Sequence, residues 1–157
     1  MNEELKQEYG ILEKKYSLPK FELLDQEFEI RAIEINRSGI LIKTLLRVIT
    51  SKLNLFMNYL EPVISAPPQT LHSLIEMKNI LDQDRSRIFE FYKEISILLH
   101  ENLKIELMQE KDIAAQIKKI LKQWPEIKSK EIEFLEKITD AWKKKEENPT
   151  TRTEYSG

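Results

Sequence analysis

The sequence predicts an all-α protein: an elongated helical bundle of four to five helices, with one long central helix over about 18–64 and coiled-coil-like packing. Three observations carry that expectation. Glycine occurs 3 times and proline 6 times in 157 residues, so backbone punctuation is scarce. Apolar residues recur every three or four positions, the period of a helix, and nowhere sustain the alternation of a strand. A hydrophobic fraction of 41% beside a charged fraction of 33% fits a folded helical chain rather than a disordered one.

The first predicted helix is short. Leu5, Tyr9, Leu12 and Tyr16 form one apolar stripe, and Ser17-Leu18-Pro19 reads as a stop and restart, with Ser17 or Leu18 capping and Pro19 in the next first turn. Beyond it, Phe21, Phe28, Ile35, Ile42, Ile49, Phe56 and Val63 fall on one seven-residue ladder. Asp25, Ala32, Gly39, Leu46, Leu53 and Leu60 fall on a second, three residues earlier at each step. Together they make a coiled-coil-like seam in which Asp25 is the one charged violation.

Because the phase is kept across Gly39, a helix on the order of 65 Å long is expected to run through it, at ~1.5 Å per residue. A kink at Asn36-Arg37-Ser38-Gly39, three of whose residues are weak helix formers, is the alternative. Ala32 and Gly39 would let a second backbone approach closely. Leu41, Leu45, Val48, Leu55 and Tyr59 widen the apolar face of the second half, as expected of a helix packed on several sides.

Pro67 and Pro68 stop this helix, and Leu71 to Leu81 allows one short helix. Asp82 then caps another, reaching about Met108, with Ile88, Phe91, Ile95, Leu98, Asn102 and Ile105 on its inner rows. A fourth main helix carries Ile113, Ile117, Ile120 and Trp124. Pro125 is read as a corner that opens a fifth, with Ile127, Phe134, Leu135, Ile138 and Trp142. The expected organisation is one domain over 1–145 and a polar tail over 146–157.

Chemistry is sparse. There is no cysteine, which excludes thiol catalysis, disulfides and thiolate metal sites. Glycines stand only at Gly10, Gly39 and Gly157, so no phosphate-cradling glycine loop exists. His72 and His100 are the only histidines; neither follows a glutamate by three residues, as di-iron helical bundles require. His72 with Glu76 one turn later makes at most a weak metal pair, and its neighbour Ser73 points elsewhere on a helix. Both histidines are read as surface or cap residues.

The acid groups Glu27, Glu29, Glu34 and Glu131, Glu133, Glu136 interleave with lysine and read as solvated faces. A metal-dependent hydrolase using such carboxylates is therefore a minor alternative, and no cofactor or metal is expected. Asp25 is either a satisfied acid at the end of the core or a residue that specifies a partner. Asn102 either lies buried and fixes register or faces outward while Leu103 takes the core.

The expected function is that of a non-catalytic helical interaction or scaffold protein. It would form a homodimer, or bind a partner protein, through Phe28, Ala32, Ile35, Gly39 and Ile42. The alternative is an accessory subunit of a nucleoprotein complex, binding RNA or DNA through Lys118, Lys119, Lys122, Lys128 and Lys130, with Trp124 and Trp142 stacking on bases. A formal charge of −2 provides no global attraction to nucleic acid or an acidic membrane. The acidic opening residues and the absence of a long apolar run make a cytoplasmic location the expectation.

Overall fold

The computed structural model describes residues 3–34, 40–65 and 67–144. These form six α-helices and no strand: α1 Glu3–Tyr16, α2 Phe21–Phe28, α3 Leu41–Ile64, α4 Leu71–Asn79, α5 Asp82–Glu106 and α6 Glu110–Lys143, with a 3₁₀ turn at Ile30–Ala32. The all-helical class is as expected. The expected tail, and the expected passage of a helix through Gly39, lie outside the described residues.

The single helix over 18–64 is not formed. Its first part ends at Phe28, and α3 starts only at Leu41. The break has a local cause. Glu29 takes the left-handed conformation (φ 54°, ψ 40°) and donates its backbone N–H to the Asp25 carbonyl. The Asp25 side chain then accepts the backbone N–H of Arg31 at 2.8 Å and its guanidinium Nε–H at 2.8 Å. One carboxylate thus gathers the chain after α2 and folds it back. Asp25 is the satisfied acid of the two readings, buried and held ionised by Arg31, whose guanidinium keeps its carboxyl below the usual range.

The corner at Pro125 is also absent. α6 runs 34 residues straight through that proline and is the longest helix. Pro125 lies on the exposed face, where the missing N–H costs one helical bond but disturbs no packing. The inward row continues across it without a slip: Ile113, Ile117, Ile120, Trp124, Ile127, Glu131, Phe134, Ile138 and Ala141 are all buried. Alternate steps of four and three keep one face inward for about eight turns.

α3, α5 and α6 form the core. Arg47 Nε donates to Glu106, and Asn102 donates to Thr50, so α3 and α5 run antiparallel. Lys119–Glu101, Lys130–Glu94 and Lys137–Asp84 set α5 antiparallel to α6. The first half of α6 carries α1 and α2: Lys118 donates to the Tyr16 carbonyl, and Tyr16 donates to Glu110. The far end of α6 carries α4, whose Asn79 side chain donates to the Ala141 carbonyl at 3.0 Å. Of the residues expected to widen the buried face of α3, Leu45 is buried, whereas Leu55 and Tyr59 stay exposed. Asn102 is inward, bridging Thr50 and Gln116 at 3.0 and 2.8 Å, and Leu103 is exposed.

Candidate functional site

The residues expected to face a partner are dispersed by the break after α2. Phe28 is buried in the chain's own core against Trp124, ring centroids 4.6 Å apart, and Ile42 is buried in α3. Ala32 is exposed at the end of the 3₁₀ turn, while Ile35 and Gly39 lie outside the described residues. Phe28 and Ile42 are therefore core residues, because two separate helices, rather than one rod, both turn their apolar faces to α6.

The lysines expected to meet nucleic acid are mostly engaged within the chain. Lys118 donates to Tyr16, Lys119 to Glu101, Lys128 to Glu27, and Lys130 pairs with Glu94 and Glu126. Lys122 is exposed and has no ion pair among the described residues. Trp124 is buried, stacked 5.6 Å from Phe56 with its indole N–H on Glu27 at 2.8 Å, so it offers no face to a base. Trp142 remains partly open.

The two histidines sit on the surface, as expected. His100 Nδ1 lies 2.7 Å from the Ser96 carbonyl, a bond within its own helix. His72 Nε2 lies 3.0 Å from Glu76 Oε1, and its ring packs 4.8 Å from that of Trp142. No group of three or more His, Asp or Glu with metal-binding geometry occurs among the described residues. Nor is any described helix long and apolar enough to cross a membrane.

Two buried carboxylates escape the sequence reading. Glu76 lies beneath α4, where Oε1 accepts the Trp142 indole N–H at 2.9 Å and Oε2 has no partner among the described residues. Glu131 is 2% exposed on the inward row of α6, expected instead on a solvated face, and neither of its oxygens has a described partner. Burial alone raises its carboxyl to about 7. Its position was legible from spacing: it lies four residues after Ile127 and three before Phe134, on the core row.

Glu131 is buried on the inward row of α6, and Oε1 of Glu76 is taken by an indole N–H. What lies open is apolar. α4 is amphipathic in the reverse sense: Ser73 and Glu76 face inward, whereas Leu71 (73% exposed) and Leu74 face outward, with Leu81 exposed just beyond. Ser73 points inward because it closes a capping box with Thr70, each hydroxyl receiving the other residue's backbone N–H at 3.1 Å. Glu76 points inward because Trp142 holds it. These two polar anchors fix the rotation of α4 and leave its leucines outside.

Comparison with protein-family models, with curated proteins and with solved structures finds no match.

Proposed function

We propose that the protein is a non-catalytic helical interaction or scaffold module, able to bind a partner protein and a second copy of itself. The observation that carries this reading is the outward apolar face of α4. A surface helix ordinarily turns its apolar side to the core. Here Leu71, Leu74 and Leu81 stay half to three-quarters exposed, forgoing roughly 1–2 kcal/mol of burial for each side chain. Trp142, 44% exposed beside His72, adds an aromatic with a polar tip at the same end of the bundle. Exposed apolar side chains one turn apart on a surface helix are a feature that protein–protein contact sites use.

The test is a double substitution, Leu71→Glu with Leu74→Glu, in the full chain. Both side chains are exposed, so the far-ultraviolet circular dichroism and melting temperature stay as in the wild type. Proteins retained from an extract of the native host by the wild type are lost by the variant. Equal retention by both overturns α4 as the docking face.

A further inference from the structure

α5 turns Ile88, Phe91, Ile95, Leu98 and Asn102 into the core, and a second row away from it. The outer row runs Glu90, Lys93, Ile97, His100 and Lys104. Ile97 is 59% exposed and lies in a shallow surface depression bordered by the stems of Lys93 and Lys104. It also forms part of the wall of the groove between α5 and α6. This β-branched apolar side chain in the middle of a charged helix face has no covering element among the described residues.

The charges around it are arranged in a way that names the cover. Glu90 stands seven residues before Ile97 and Lys104 seven after; Lys93 stands four before and Glu101 four after. An antiparallel copy, related by a two-fold axis through Ile97, sets each residue opposite the one equally distant on the other side. Glu90 then meets Lys104, Lys93 meets Glu101, and each pairing occurs twice, the self-complementarity that a two-fold interface demands. In a parallel pairing each residue meets its own copy, so Glu90, Lys93 and Lys104 all face like charge. The present partners allow the exchange: Lys93 reaches Glu90 within its own helix at 2.9 Å, an exposed pair worth little, and Glu101 keeps one oxygen on Lys119 at 2.6 Å.

We infer that the outer face of α5 is a self-association surface, on which two copies of this chain pair antiparallel with Ile97 on the two-fold axis. The assignment rests on the reading of the protein as an interaction module and supplies the surface for its self-binding. A single helix face offers fewer residues than the roughly 20–30 per side of a standard interface, so the dimer is of the weak, concentration-dependent kind.

The absence of cysteine makes the test direct. Under mild oxidation, Ile97→Cys forms a disulfide-linked dimer, because the two thiols meet at the axis. Lys104→Cys does not, since antiparallel pairing holds the two positions about 21 Å apart at ~1.5 Å per residue, beyond the reach of a disulfide. In sedimentation, Lys104→Glu weakens the dimer roughly tenfold or more, and adding Glu90→Lys restores it by exchanging the signs of the pair. Equal cross-linking at both positions, no cross-linking at Ile97, or failure of the charge exchange overturns the inference. A dimer that survives Ile97→Lys overturns the α5 surface alone. A wild type that stays monomeric at every concentration overturns self-association, while docking on α4 stands or falls separately by retention from the host extract.

Discussion

Replacing Glu131 by glutamine removes an ionisable group from the inward row of α6 and leaves its shape nearly unchanged. In the folded chain the carboxyl titrates at about 7 rather than its ordinary 4.5, because burial opposes the charge and no cation offsets it. The folded state therefore holds a proton between those values that the unfolded state has released, and stability falls as pH rises through that window. Below 4.5 the penalty is absent. Above 7 it is complete, and at about 1.4 kcal/mol per tenfold change in proton affinity it amounts to roughly 3 kcal/mol. Between pH 5 and pH 8 the difference is about 2–3 kcal/mol, or roughly 5–10 °C in melting temperature for a chain of this size. Glu131→Gln is neutral throughout and escapes this loss. Urea denaturation of both proteins at pH 5 and pH 8 measures it: the advantage of the variant is expected to grow by about 2–3 kcal/mol at the higher pH. If the two proteins respond to pH in parallel, Glu131 does not carry a buried charge and the inward assignment of this residue fails.

Two further substitutions test the helix boundaries. Asp25→Asn breaks the carboxylate clamp on Arg31 and is expected to destabilise by about 1–3 kcal/mol, the cost of leaving such groups imperfectly paired. The sign with pH is opposite to that of Glu131: the Asp25 carboxyl is held low by Arg31, so its contribution is present above the usual carboxylate range and fades as pH falls through its lowered value. In thermal melts the gap between wild type and variant is expected to be smaller at pH 3 than at pH 7; a constant gap refutes the clamp. Pro125→Ala restores the missing backbone donor in mid-helix and is expected to raise stability by about 1–3 kcal/mol with circular dichroism unchanged. A loss of stability or helicity instead means that Pro125 opens a separate helix.

Much of the candidate surface was out of reach of periodicity. The leucines of α4 follow helical spacing, and spacing alone assigns them inward; only Thr70 with Ser73 and Trp142 with Glu76 reveal which way the helix is turned. The lysines of α6 read as an open basic row, yet four of the five find acids or carbonyls on α1, α2 and α5, or one turn back on α6 itself. Apart from Glu126 with Lys130, each such pairing joins residues far apart along the chain. By contrast, the outer row of α5 and the place of Glu131 were both present in the spacing.

The step of seven survives in two places with opposite outcomes. From Phe28 to Ile42 it is kept although the helix stops at Phe28; from Ile120 to Ile127 it is kept and the helix continues through a proline. The apolar period records which residues lie against the core, and two helices can share that core in step as readily as one rod. By itself the order of residues determined that the chain is helical, that it stops at the double proline, and which rows of α5 and α6 are apolar, because these depend on local propensity and 3.6-residue geometry. Where α2 ends, how α4 is rotated and that Glu76 is buried were decided only in the folded molecule. Those outcomes hang on particular side-chain meetings, Asp25 with Arg31 just after a reversal of the chain and Glu76 with Trp142 across the bundle, and apolar periodicity encodes neither.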